Sequence, residues 1–150
     1  MADDVLQTLG PQIKIANTLI EKELNKRMAA LIQDYRLTGP QITLMVYLYE
    51  TKDHTVTQKE VADKFVLSHP TIRGIVRRLA AAHLIRVAPL ASDRRQMTLS
   101  LAPAGLTLLK QHLPAIYQVM DEIDQKIVGS LSQQQQQQLS QALSQVIQNF

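Results

Sequence analysis

Apolar residues recur at helical spacing along most of this chain and alternate with polar ones in only one short stretch. From Val5 to about Tyr35 the stripe includes Leu24, Met28, Leu31 and Tyr35, with Pro11 acceptable only near the start, and predicts one long helix. Thr38-Gly39-Pro40-Gln41 then has the form of a capping box, in which a hydroxyl and an amide side chain satisfy the free groups of a helix start; Ile42, Met45, Val46 and Tyr49 mark the buried side of that helix. Thr57-Gln58-Lys59-Glu60 repeats the signal and opens a short helix bearing Val61, Ala62 and Phe65. After Val66-Leu67, Ser68 caps a further helix reaching about Ala82, with Ile72, Ile75, Val76 and Leu79 at i, i+3, i+4 and i+7. Two helices joined by so tight a turn form a helix-turn-helix.

The period then changes to two. Gln96, Thr98 and Ser100 are polar while Met97, Leu99 and Leu101 are apolar, which predicts a half-buried strand with Ile85 to Ala88 as its antiparallel partner. The loop between them, Pro89 to Arg95, is polar and basic, so the hairpin stands out as a wing. Helical spacing returns from Pro103 through Leu106, Leu109, Leu113, Ile116, Tyr117, Met120, Ile123 and Ile127 to a stop near Gly129, with a bend expected at Pro114. Ser132 and Gln135 form a third capping box, and Leu139, Ala142, Leu143, Val146 and Phe150 stripe the last helix. The glutamine run Gln133 to Gln138 is therefore read as helix surface.

The predicted fold is mainly α with a small β-hairpin: a winged helix-turn-helix over residues 37–102, flanked by an N-terminal helix within 1–36 and C-terminal helices within 103–150, in one integrated domain. The flanking apolar stripes have no obvious partner in so small a unit, so they are expected to pack against a second copy and make a homodimer.

Composition sharpens this picture. Aromatic residues are 4% of the chain against 45% hydrophobic residues in all, so the core is aliphatic and suits helices. Net charge is only +3, but Arg73, Arg77, Arg78, Arg86, Arg94 and Arg95 fall in one stretch with Asp93 as its single acid, a focused field that fits a polyanion. With no cysteine, disulfides, thiolate chemistry and thiol redox sensing are excluded, and a cytoplasmic location is compatible. Met1-Ala2-Asp3-Asp4 lacks the basic and apolar regions of a signal peptide, and no apolar run approaches the roughly 20 residues that span a bilayer, so no membrane partner is expected.

On a wheel centred on the apolar residues of the second helix-turn-helix helix, the opposite face carries Pro70, Arg73, Gly74 and Arg77, flanked by Thr71 and Arg78, with Ser68 and His69 at the start. This is the expected face toward double-stranded DNA: the arginine fork matches the N7/O6 edge of guanine, and Gly74 permits close approach. In the wing, Asp93 can pair with a neighbouring guanidinium and hold the loop in one shape, while Arg94 and Arg86 suit phosphate contacts. Solvated surface arginines and an ordinary hairpin tip are the bland readings of the same residues.

His54, His69, His83 and His112 lack the i, i+3 or i, i+4 pairing of a helical metal site, so no metal or other cofactor is expected. No phosphate loop, nucleophile elbow or paired acids support an enzyme, and no catalytic residue is assigned.

Residues 38 to 110 resemble the multiple-antibiotic-resistance regulator (MarR) family. The resemblance is carried by Thr38 to Gln41, Thr57-Gln58-Lys59-Glu60, Ser68-His69-Pro70-Thr71, Leu79, Asp93-Arg94-Arg95 and Leu101-Ala102-Pro103-Ala104-Gly105, in that order. It implies a triangular homodimer held by terminal helices, a recognition helix in the major groove and a wing reaching the minor groove. It also implies Asp93 and Arg95 as the wing pair, and often a small phenolic or lipophilic effector. The chain departs from the family at Val66 and His83, where glycine is usual, and at Ala102, where a threonine commonly caps the next helix.

The expected function is a ligand-responsive transcriptional regulator, usually a repressor in this family, on a palindromic operator. The alternative is a winged-helix module that binds protein or RNA without operator specificity. An effector pocket is expected where the first, second and fifth helices meet, lined by Met28, Tyr35, Met45, Tyr49, Tyr117 and Met120, residues that serve equally well as core.

Overall fold

The computed structural model describes residues 4–150; the first three positions of the sequence, part of the expected N-terminal unit, lie outside the described residues. Where a single helix is expected from Val5 to Tyr35, the chain instead makes a 3-10 turn at Val5–Gln7, passes through an extended Thr8, and forms α1 at Leu9–Leu31. Pro11 falls in the first turn of α1, where a missing N–H breaks no helical bond. The far end stops short because Ile32 turns extended (φ −114°, ψ 92°) while still burying its side chain, which leaves Tyr35 in the connecting loop.

α2 (Gly39–Glu50) starts from the complete capping box at Thr38, and Gln41, a buried polar residue, is satisfied because its Oε1 accepts the Thr38 N–H at 3.0 Å. The box at α3 (Gln58–Phe65) is only half formed. Thr57 Oγ1 accepts the Glu60 N–H at 3.1 Å, but the Glu60 carboxylate turns away to Tyr47 and His54 instead of reaching back to the cap.

α4 (His69–Ala81) packs Ile72, Ile75, Val76 and Leu79 inward, as the spacing predicts. The wing pairs β2 (Ile85–Pro89) with β3 (Met97–Leu101) in a register that sets Val87 opposite Leu99. A third strand, β1 (Val56–Thr57), lies on the other side of β3 and pairs Val56 with Leu99; two residues are too short to show a period.

α5 (Pro103–Val128) contains Pro114 and ends at Gly129, and α6 (Gln133–Gln148) starts from a complete capping box at Ser132 with Gln133 to Gln138 on its surface, all as expected in outline. Ala102 caps α5 without a side-chain hydrogen bond. The start of α5 is held another way: the Ala102 N–H donates to the Leu84 carbonyl at 3.0 Å, and a Cβ on Gly105 would lie 2.0 Å from that same oxygen. Glycine is thus required for α5 to dock on the end of the recognition unit.

One core joins Met28, Met45, Val61, Ile72, Leu79, Leu84, Leu109 and Ile116, so α1 and α5 are built onto the winged helix. Arg27 with Glu122, and Lys126 with Glu23, tie α1 to α5. α6 contributes no buried residue, and Leu139, Leu143, Val146, Ile147 and Phe150 are exposed, as are Leu6, Leu9, Ile13 and Leu19 near the other end. Among the described residues no helix is long and apolar enough to cross a membrane.

Candidate nucleic-acid interface

Helix α4 is positioned from both ends. Ser68 Oγ accepts the Thr71 N–H at 3.3 Å and meets Thr71 Oγ1 at 2.8 Å, while Pro70 occupies the first turn, where no donor is needed. The turns before and after it place Val66 (φ 52°) and His83 (φ 59°) in the left-handed region, the two positions at which the resemblance leads one to expect glycine. The fold therefore retains the turn geometry and carries strain there, because a Cβ, above all the branched one of Val66, crowds the backbone in this conformation.

With its apolar stripe buried, α4 must present Ser68, His69, Pro70, Thr71, Arg73, Arg77 and Arg78 to solvent, and all are exposed. Gly74 lies among them. A mid-helix glycine costs about 1 kcal/mol relative to alanine. Nothing inside the chain requires it, since a Cβ built there meets no atom within 4 Å. What its small size admits must approach from outside.

The wing is organised by Asp93. Its Oδ1 accepts the Arg95 N–H at 3.1 Å and the Arg95 Nε–H at 3.3 Å, and its Oδ2 accepts from Gln96 Nε2 at 3.3 Å. The backbone N–H of Arg95 first, then the Gln96 and Arg95 side chains, hold the carboxyl below its ordinary range. Arg95 is thereby aimed while remaining 92% exposed at its side chain. Arg94 and Arg86 are exposed as well, Arg86 on β2. Gln96 has a part in this loop that its sequence position did not suggest; a polar residue one step before an alternating strand was the available signal.

Between the wing and the helix-turn-helix lies a cleft of about 240 Å³, lined by Gln58, Lys59, His69, Arg95, Gln96 and Met97. It brings the first turns of α3 and α4 together with the base of the wing. Gln58 and Lys59 were missed because α3 was read from its apolar side alone; their place directly after the Thr57 cap could have flagged them.

Five of the six expected effector residues lie in or against the core. Met28 and Met45 are fully buried core, and Tyr35, Tyr49 and Met120 pack half-buried against it. Tyr117 is exposed and its hydroxyl donates to Glu50 Oε1 at 2.6 Å, which raises the phenol above its ordinary value. A separate cleft of about 410 Å³ runs between α1, α2 and α4, with Asn25, Thr38, Leu67, Thr71, Ile75 and Arg78 among its walls. Among the described residues no group of three His, Asp or Glu side chains is arranged to hold a metal.

Residues 37–96 match the model of the MarR family. The HTH-type transcriptional repressor NicR of Pseudomonas putida is 32% identical over 99 residues, covering 64% of this chain and 62% of that protein, so the matched stretch takes in less than two thirds of the relative. Two solved structures share the fold over nearly the whole chain. DNA-bound MepR of S. aureus has a TM-score of 0.79 at 20% identity, covering 95% of this chain and 98% of that one. BpsR of Bordetella bronchiseptica, whose DNA binding is regulated by 6-hydroxynicotinic acid, has a TM-score of 0.77 at 20% identity, covering 97% of each.

Proposed function

We propose that this chain, whose residues 37–96 match the model of the MarR family, is a transcriptional repressor that binds a palindromic operator as a homodimer and responds to a small ligand. The observation that carries the reading is α4. Its apolar side is consumed by the core, and its free side combines Arg73, Arg77 and Arg78 with a glycine that nothing in the chain needs. Beside it, Asp93 holds Arg95 outward as a second, minor-groove element. Arg73 and Arg77 read base edges; Arg86, Arg94 and the His69, Lys59 and Gln58 cleft take phosphates.

Dimerisation is supported by the uncovered apolar residues of α1 and α6, which are too many for a stable solvated surface. A second copy covers both ends at once and repeats the recognition helix about a two-fold axis, hence an inverted-repeat operator. Removing residues 132–150 is expected to yield a monomeric or poorly soluble chain.

For the effector, the cleft between α1, α2 and α4 offers a seat beside the residues expected from sequence. It has apolar side chains at Leu67 and Ile75, the opposite charges of Arg78 and Glu21 on its lining, and a wall formed by α4 itself. A phenolic or lipophilic acid wedged there shifts α4 and so gives two states of different operator affinity. 6-Hydroxynicotinic acid, the compound named for BpsR, is the first to try.

The test is selection of duplexes from a random pool, followed by anisotropy titration of the enriched sequence. A symmetric consensus bound by a dimer is the expected outcome. Enrichment of no sequence refutes the operator reading and leaves a module that binds protein or RNA.

A further inference from the structure

The loop of residues 51–55 joins α2 to β1 and carries His54, whose ring has a carboxylate on each side. Nδ1 lies 2.9 Å from Asp53 Oδ1, and Nε2 is hydrogen-bonded to Glu60 Oε1 in the first turn of α3. A neutral imidazole has one N–H and one lone pair, so it can donate to one of these acids and must set its lone pair against the other. Only the imidazolium donates to both.

Glu60 is fixed from a further side, because its Oε2 accepts the Tyr47 hydroxyl of α2 at 3.2 Å, and Lys64 of α3 sits 5.5 Å from the Tyr47 ring centre. The ionisable groups around His54 are thus Asp53 from its own loop, Glu60 and Lys64 from α3, and Tyr47 from α2. From β3 the neighbouring cleft receives Thr98, Leu99, Ser100 and Leu101, none of which titrates in the physiological range.

We propose that His54 is a pH-sensitive strap on the helix-turn-helix: as imidazolium it clamps the α2–β1 loop to the first turn of α3, and its deprotonation loosens that turn and the β1 edge of the wing sheet, weakening operator binding. The strap stands on the side-chain geometry alone; its effect on operator binding rests on the DNA-binding function proposed above. Glu60 first, then Asp53, raises the proton affinity of the ring above that of an ordinary histidine. A group raised on folding contributes fully below its unfolded value, about 6.5, and the contribution is lost as pH rises through the folded value. The working window is therefore neutral to mildly alkaline pH. His54 and Asp53 are exposed, so the opening equilibrium should change by about two- to fivefold, the scale of surface ion pairs.

The experiment compares the parent full-length chain with His54→Gln and with Glu60→Gln, the latter keeping an acceptor for Tyr47 and a residue suited to the third helical position. Histidine ring resonances and amide hydrogen exchange of residues 57–60 are followed from acid to mildly alkaline pH at constant ionic strength. Affinity for the duplex enriched from a random pool is measured alongside. His69 lies on the DNA-facing helix and is present in all three proteins, so the affinity arm is read as the difference between parent and variants.

Expected is a His54 resonance that titrates above the ordinary histidine value. Exchange, after correction for intrinsic chemistry, should accelerate by about two- to fivefold across that transition in the parent only, with affinity falling by a similar factor. A His54 that titrates at the ordinary value, or the same exchange profile in parent and variants, overturns the strap. An exchange transition with no matching change in affinity overturns its regulatory role. A chain that shows the exchange transition but binds no selected duplex supports the strap and refutes the DNA-binding reading.

Discussion

Replacing Gly74 with alanine should move stability and DNA binding in opposite directions. In the free chain the added methyl meets nothing within 4 Å, so no clash offsets the gain in helix propensity. That gain is about 0.8–1 kcal/mol for glycine to alanine in a helix interior. For a chain of this size it corresponds to a rise of about 2–4 °C in Tm per kcal/mol. Against DNA the same methyl stands on the exposed face between Arg73 and Arg77, where a close-fitting groove has to give way. Forcing a methyl into a packed contact costs about 1–3 kcal/mol, or roughly a 5- to 150-fold loss of affinity. Thermal unfolding and an anisotropy titration of the selected duplex, both without added effector, read the two effects, and sedimentation checks the oligomeric state. A lowered Tm would show that the space around Gly74 is not open. A raised Tm with unchanged affinity would mean that DNA does not approach there, and a changed oligomeric state would assign the open space to a subunit contact.

Other substitutions test the remaining parts of the interface and its scaffold. Arg73→Ala and Arg77→Ala should each weaken operator binding by about 1–3 kcal/mol without altering the helical circular dichroism; parent affinity in both would refute the base-reading assignment. Asp93→Ala should weaken binding although it removes a negative charge, because Arg95 loses its aim; tighter binding would show that the acid only repels phosphate. The Asp93 carboxyl is held below its ordinary value, so its contribution is present above the unfolded value of about 3.9 and is lost only as pH falls through the folded one. Wing order followed by NMR should accordingly stay constant from pH 5 to 8. Val66→Gly should raise stability by about 1–2 kcal/mol by relieving a branched residue at positive φ while forfeiting little burial; denaturant unfolding measures it. Gly105→Ala should lower stability by about 1–3 kcal/mol, because its Cβ would collide with the Leu84 carbonyl that also anchors Ala102.

Local signals settled a large part of this fold. A cap followed by a 3.6-residue apolar stripe specifies a helix whatever surrounds it, which is why α2, α4 and α6 begin at Thr38, Ser68 and Ser132 as the pattern predicts. The exposed face of α4 followed from the same geometry, since fixing the buried side of an amphipathic helix fixes the opposite one. Packing decided what has no local period. Ile32 ends the first helix because an extended residue there still reaches the core, while Thr8 breaks it at the other end among exposed residues. β1 exists only because β3 has a free edge beside it. Glu60 satisfies the capping-box pattern in sequence, yet its carboxylate serves His54 and Tyr47, residues brought within reach by the fold of α2 against α3. The expected effector residues show the limit of a local pattern: flexible methionines and tyrosines on facing stripes look alike in sequence whether the helices close on each other or leave a gap. The sequence by itself determined the helices, the wing and the side of α4 that faces outward, since these depend on neighbours within about two turns. Tertiary structure alone decided where the clefts lie and which partners the ionisable side chains choose, because those depend on distances between segments that no local pattern encodes.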